Sequence, residues 1–313
     1  MPEYHGTVSA NGFWDGLVGP VDGTPLMYSD GKLTAASGKT YSITDGIANL
    51  MDESLFDDHL RHELEVFESP KVKNVCYFQQ SLFDEVMSII KSFFHEENNL
   101  SCVEIGGGEG YFAGAFKESF PEGVSSVCDI SLQYLKTAPQ NLRRIMCDAR
   151  HPYLDRDTVD VAAFWVSLHH FMQNDMSMAI TQAANILKRN GILLCFEPNS
   201  HFFPRRLLSA TSALKKLVYK DEDEEAFYVS QLDRVLTPLG FKMVFLTVHN
   251  PPYNPEFFRQ VSGGSVFFPV TQGFYSLERL LKAGQQWWDV KHSKLLPYLG
   301  SYFLSVYRRT DDL

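Results

Sequence analysis

Ionisable side chains recur in this chain at one kind of place, directly after a short apolar run and before a turn or helix. Glu104 follows Cys102-Val103, Asp129 follows Val127-Cys128, Asp148 follows Cys147, His169-His170 follow the run at 158–166, and Glu197 follows 191–196. A histidine near neutral pKa can take up or release a proton at physiological pH, and a carboxylate can accept two hydrogen bonds side by side. His169 and His170 are therefore candidate general bases. Glu104, Asp129 and Asp148 are candidate ligand-binding acids, and Glu197 with His201 are further candidates facing a substrate. One acid at a strand end means little, because polar residues routinely begin loops. Five consecutive strand ends carrying ionisable groups define a site.

The first of these ends leads into the densest glycine cluster of the chain, at 106, 107, 108 and 110, followed by alternating small and aromatic residues. That order reads as strand, tight turn and helix. Glycine permits positive φ and leaves no Cβ in the way of a ligand, and a helix N-terminus offers backbone N–H groups to an anionic end. A nucleoside-bearing ligand fits such a turn. Gly108-x-Gly110-x-x-Ala113 satisfies a dinucleotide pattern, and Asp129 lies 19 residues beyond Gly110, where a ribose-binding acid belongs. By itself the motif leaves a nicotinamide dinucleotide open.

The elements that must hold these residues alternate. Apolar runs at 126–129, 142–147, 158–166 and 191–196 read as strands, with a helix over 176–188 and Arg189-Asn190-Gly191 as its stop signal. Alternating strands and helices predict a parallel sheet with ligands at the carboxyl ends of its strands. A helix over 226–238 and strands over 242–248 and 301–308 close the chain. Residues 1–51 carry the turn dipeptides Asp22-Gly23, Asp30-Gly31, Ser37-Gly38 and Asp45-Gly46, which predict a small β-hairpin module too slight to fold without a docking surface. Residues 52–99 show three-to-four apolar spacing and predict helices covering one edge of the cleft.

Taken from Glu104, the turn becomes Glu104-x-Gly106-x-Gly108-x-Gly110, which resembles motif I of the class I S-adenosylmethionine-dependent methyltransferases. The resemblance continues over residues 100–200 through Asp129, Asp148, Asp160-Val161-Ala162, Ser167-Leu168-His169-His170-Phe171 and the turn 186–194. It implies an α/β, Rossmann-like, seven-stranded sheet over 100–313 whose last strand is antiparallel, with insertions at about 199–225 and 249–300. It further implies S-adenosyl-L-methionine as cofactor and S-adenosyl-L-homocysteine as product. Backbone at Gly106, Gly108 and Gly110 would approach the methionine moiety and Glu104 its ammonium group. Asp129 would bind the ribose hydroxyls, Asp148 with Ala149 the adenine edge, and Trp165 would line the cofactor site. The N-terminal stretch resembles a zinc-ribbon-like module in which Gly19, Asp22, Thr34 and Ser37 stand where metal-binding versions carry cysteines, so no metal is expected.

The formal net charge of −10 disfavours nucleic acid as a partner, and the five cysteines form no C-x-x-C pair. No membrane-length apolar stretch or signal-peptide layout appears, which predicts a cytoplasmic protein. The expected reaction is O-methylation of an apolar or aromatic small-molecule metabolite. The alternatives are a tRNA or protein methyltransferase, a non-catalytic S-adenosylmethionine-binding protein, and an NAD-dependent oxidoreductase. The aromatic residues of 250–300 suit a lid or homodimer surface as well as an acceptor pocket. Asn250-Pro251-Pro252-Tyr253 copies a motif of amino methyltransferases, but it follows the sixth strand rather than the fourth and reads as a proline-rich turn.

Overall fold

The computed structural model describes residues 10–67, 78–94, 97–171, 173–208, 226, 228–251, 273–279 and 296–310. The parallel core consists of β5 (Cys102–Ile105), β6 (Ser125–Asp129), β7 (Arg143–Met146), β8 (Val159–Trp165) and β9 (Leu187–Pro198) in the order β7-β6-β5-β8-β9. Two further strands, β10 (Phe241–His249) and β11 (Tyr302–Arg309), extend it on one side. The last strand enters between β9 and β10 and runs antiparallel to both. The chain order places the β5/β8 junction, where the connections turn to opposite sides, at the middle of the sheet, and ligands of such sheets bind there.

On the other side the N-terminal β strands dock directly on the edge of the main sheet. Strands β1 (Leu26–Ser29), β2 (Lys32–Ala35), β3 (Thr40–Thr44) and β4 (Ile47–Asn49) form an antiparallel meander, and β4 pairs in parallel with β7. The sheet therefore has eleven strands rather than seven. The open edge of β7 supplies the docking surface that the meander lacks, and Leu50 N–H donates to the Met146 carbonyl at 2.8 Å to continue the pairing. Two of the turns predicted from sequence, Asp30-Gly31 and Asp45-Gly46, have both residues at positive φ, the geometry that matches hairpin twist.

Helices cover both faces. On one face, α3 (Gln80–Phe93) buries Leu82, Phe83, Val86, Met87 and Ile90 beside α4 (Tyr111–Ser119), whose Phe112 and Phe116 are fully buried. On the other lie α6 (Gln173–Ile186) and the helix Val229–Leu236, packed over Ala162, Phe164, Leu193 and Phe303. The stop signal near residue 190 acts differently from the expected helix end. The helix stops at Ile186, and Asn190, at φ 63°, forms an irregularity where β9 shifts register against β8. Among the described residues the other helices, α1 (Ala10–Phe13), α2 (Asp58–Phe67), α5 (Leu132–Thr137), α7 (Phe203–Leu208) and the turn Leu296–Leu299, are short. The acidic run 221–225 and most of the aromatic insertion, including Tyr253 and Trp287-Trp288, lie outside the described residues. Of the part described, Phe274 packs edge-on against Phe202 at 5.0 Å. Asn250 clamps the insertion to the sheet, accepting from Ser301 N–H and donating to Glu278 and to the Leu299 carbonyl.

Candidate functional site

The turn after β5 runs through Gly106, Gly108 and Gly110, all at positive φ, and Gly110 sits as the left-handed residue that opens α4. At Gly106 a Cβ would stand 2.9 Å from the Ser167 Cβ, so the β5 and β8 ends approach each other only with glycine there. Gly107, which the sequence motif leaves unmarked, is constrained from below: its Cβ would stand 2.5 Å from the Glu104 side chain. Glu104 is buried beneath the turn and accepts the Ala113 N–H at 2.8 Å, with Phe112 N–H a second donor. Two of the N-terminal donors of α4 thus go to a carboxylate of the chain itself. Burial pushes the Glu104 carboxyl up to about 8, against the opposing pull of those two N–H groups.

The two acids of the next strand ends sit in contrasting surroundings. Asp129 ends β6 half-buried, accepting Gly108 N–H on one oxygen and Ser131 N–H on the other, both at 2.8 Å. It thereby holds the glycine turn. Asp148, beyond β7, is gripped by Arg150: Nε donates to both its oxygens at 3.0 and 2.9 Å, and Nη2 lies 2.8 Å from Oδ2. Ala149 between them is buried. Neither Arg150 nor its other partners, Asp57 and Asp175, has a sequence signal in the motif; the fold alone brings 57, 148 and 175 to one guanidinium.

At the end of β8 the chain takes a strained step. Val166, a β-branched residue, has φ 56° and donates its N–H to the Phe196 carbonyl. The next residue, Ser167, donates its hydroxyl to the Ile105 carbonyl at 2.6 Å and so ties this loop to the glycine turn. A single 3-10 turn, Leu168–His170, then presents the histidines. His169 Nδ1 lies 2.8 Å from Glu197 Oε2, while Glu197 Oε1 accepts the N–H groups of Ser167 and Leu168 at 3.0 and 2.7 Å. Burial dominates both groups: it lowers the His169 pKa to about 3, helped by the field of Arg205, and raises Glu197 to about 8. Both shifts favour the uncharged forms between those two values, and the contact between the groups couples their titrations. The His170 ring lies 4.2 Å from that of His169 and tilts against it, so the two rings sit side by side.

Two sequence candidates stand elsewhere. Trp165 is a core residue, stacked on Phe196 at 4.4 Å and on Phe112 at 5.4 Å on the α3/α4 face of the sheet. His201, beyond β9, has its backbone N–H bonded to Asn199 Oδ1 and its ring edge-on to Tyr228 and Tyr298. Sequence reasoning missed Phe67, whose ring meets His170 edge-on at 5.4 Å and tilts against Tyr134 at 6.3 Å. Three-to-four spacing marks it as an apolar helix position and gives no sign that it faces the cleft.

A family profile described as "Methyltransferase domain" matches residues 78–246, more than half of the chain. The chain belongs to the class I S-adenosylmethionine-dependent methyltransferases. It is an S-adenosylmethionine-dependent enzyme by that membership, and the antiparallel β11 between β9 and β10 is the methyltransferase ending rather than the dehydrogenase one. Among solved structures, a chain of the complex between the Haloferax volcanii Trm112 methyltransferase activator and a candidate methyltransferase is 12% identical, with 81% of this chain and 99% of that chain covered at a TM-score of 0.50. A candidate sarcosine dimethylglycine methyltransferase from Galdieria sulphuraria is also 12% identical, covering 82% and 99% at 0.49. An S-adenosylmethionine-dependent methyltransferase from Archaeoglobus fulgidus is 14% identical, covering 80% and 100% at 0.48. Comparison with curated sequences gives no match. Beside the glycine turn, a Cβ on Gly108 would meet the Tyr134 ring at 3.7 Å, an ordinary van der Waals contact. Among the described residues there is no His/Cys/Asp/Glu cluster that could hold a metal ion and no helix long and apolar enough to cross a membrane.

Proposed function

We propose that this methyltransferase transfers the methyl group to a hydroxyl of an apolar or aromatic small-molecule acceptor, with His169 as general base. The supporting observation is the 2.8 Å contact between His169 Nδ1 and Glu197 Oε2 at the strand end beside the glycine turn. S-adenosylmethionine supplies an already activated methyl on its sulfonium, so the chain has to align the acceptor and remove its proton. When Glu197 is ionised it accepts Nδ1–H, fixes the ring and leaves Nε2 as the basic nitrogen. Gly106 to Gly110 and Asp129 serve the cofactor in this reading; Glu104 serves it indirectly by holding the turn from beneath. Asp148 with Ala149 forms its surroundings, and His170 and Phe67 belong to the acceptor side.

The finer parts of the reading, a cytoplasmic setting and a cysteine-less zinc-ribbon ancestry for the meander, go with it. The acidic net charge of −10 supports a small acceptor over tRNA. The test is a panel of phenolic and aliphatic alcohols scored by S-adenosylhomocysteine release. An accepted hydroxyl substrate whose turnover survives intact in both His169→Ala and His170→Ala would remove the general-base assignment. Strongly salt-dependent binding of tRNA with turnover on it would replace the acceptor class.

A further inference from the structure

One helix, α2, bridges the cleft mouth, and its two ends are held by different chemistry. At the C-terminal end the Phe67 carbonyl accepts the Ser131 hydroxyl at 3.3 Å, two residues from Asp129, and the Phe67 ring lies against His170 and Tyr134. At the N-terminal end Asp57 Oδ1 caps the helix by accepting Leu60 N–H at 2.7 Å, while Oδ2 accepts Arg150 Nη1 at 2.7 Å. The same Nη1 reaches Asp175, in the first turn of α6, at 3.0 Å. Nε of the same guanidinium donates to both Asp148 oxygens, and Nη2 lies 2.8 Å from Oδ2.

The dimensions agree with a bridge. Strands β7 and β8 lie three strand spacings apart, about 14 Å. The ten-residue α2 is about 15 Å long. It therefore reaches from the acid beyond β7 to the histidines beyond β8, over the ends of β6 and β5. The links differ in strength. Arg150 and Asp148 are 5% and 9% exposed, whereas the Asp57 side chain is 53% exposed, so the Asp57–Arg150 contact is the one that water reaches.

We infer that Arg150 is a positioning residue that latches α2 over the bound cofactor, and that the Asp57–Arg150 pair must part before the nucleoside can leave. The inference rests on the reading that the cofactor lies between Asp129 and His170. It assigns Arg150 a second task besides orienting Asp148: one planar cation fixes a strand-end acid and a covering helix together, which a lysine with a single point charge cannot do.

The experiment uses the full chain and S-adenosylhomocysteine. Asp57→Asn removes the charge facing Arg150 yet keeps a side chain that caps helices equally well, so α2 itself is preserved. Stopped-flow dissociation should accelerate about fivefold, the scale of one partly exposed ion pair. Amide exchange across 58–67 should rise in parallel, with the unfolding midpoint unchanged. Phe67→Ala, which removes the ring contacts with His170 and Tyr134 at the other end but keeps the carbonyl bond to Ser131, should act in the same direction. Unaltered dissociation and exchange in Asp57→Asn would overturn the latch while leaving the cofactor reading intact. Asp129→Ala separates the two: if that variant binds S-adenosylhomocysteine as the parent does, the cofactor is not in this cleft and the latch falls with it.

Discussion

Glu104 and Glu197 are near twins in different halves of the cleft. Each ends or nearly ends a parallel strand, each is fully buried, each accepts backbone N–H groups, two at Glu104 and three at Glu197, and each has its carboxyl raised to about 8. They differ in what the second oxygen meets. Glu104 turns wholly inward and braces the glycine turn and the start of α4, whereas Glu197 spends one oxygen on its loop and offers the other to His169. The same residue type at equivalent places in the sheet therefore does backbone work in one half and side-chain work in the other. The contrast separates variants that should lose structure from variants that should lose proton transfer.

The sharpest break is at Glu197. Glu197→Gln keeps the volume and an acceptor for Ser167 and Leu168 but cannot ionise, and it should cut turnover on a hydroxyl acceptor by about 100-fold or more. S-adenosylhomocysteine affinity, measured by calorimetry, should stay at the parent value. The parent kcat/KM should rise with pH toward about 8, because loss of the shared proton there leaves the ionised Glu197 with Nδ1–H and frees Nε2. A profile that instead titrates near 6.5, the value of an isolated imidazole, would show that the pair does not share its proton.

Gly107→Ala tests the other half. The added Cβ meets the Glu104 carboxylate from above, and neither the turn nor the buried side chain has room to withdraw. Overpacking of this kind costs about 1–3 kcal/mol. Denaturant midpoints should fall accordingly, and cofactor affinity should fall with them.

These two glutamates also mark where sequence reading succeeds and where it stops. The strand ends were legible because each apolar run finishes on an ionisable residue, and a parallel sheet with an antiparallel last strand follows from alternating elements and the family resemblance, whereas the order β7-β6-β5-β8-β9 is seen only in the structure. The Asp-Gly hairpins were legible for a local reason, positive φ at both turn residues. What a carboxylate faces was not legible. That Glu104 curls under Gly107, that Asp148 is filled by Arg150, and that Trp165 stacks in the core all depend on contacts between segments remote in sequence. The continuation of the sheet through β4 was hidden similarly, since an open edge on β7 leaves no mark in the residues of β7.

A smaller effect should appear in the pH dependence of stability. The Glu104 carboxyl has its pKa raised from 4.5 to about 8 on folding, so its contribution is fully present below 4.5 and is lost as pH rises through about 8. The parent should therefore lose unfolding free energy between pH 5 and pH 9 in urea titrations. Glu104→Gln, which carries no proton to lose, should show a flatter curve over that window even though its absolute stability is lower. An equal slope in both proteins would place the titration on another group.

The smallest expected change concerns the strained step between the halves. Val166 holds φ 56°, a region costly for a β-branched residue by about 1–3 kcal/mol. Glycine adopts that φ freely but adds entropy to the unfolded chain, about 1 kcal/mol in the opposite direction. Val166→Gly should thus gain at most about 2 kcal/mol in denaturant unfolding, the difference of those two opposing costs, less the packing that the partly buried valine side chain makes against the core. The informative readout is the combination with turnover. The strain sits one residue before Ser167, whose hydroxyl ties the histidine loop to the Ile105 carbonyl. If the valine keeps that loop against the glycine turn, Val166→Gly should be more stable and slower, with cofactor affinity unchanged. A variant that is more stable and equally fast would show that the hydrogen bonds of Ser167 and Glu197 suffice to hold the histidines.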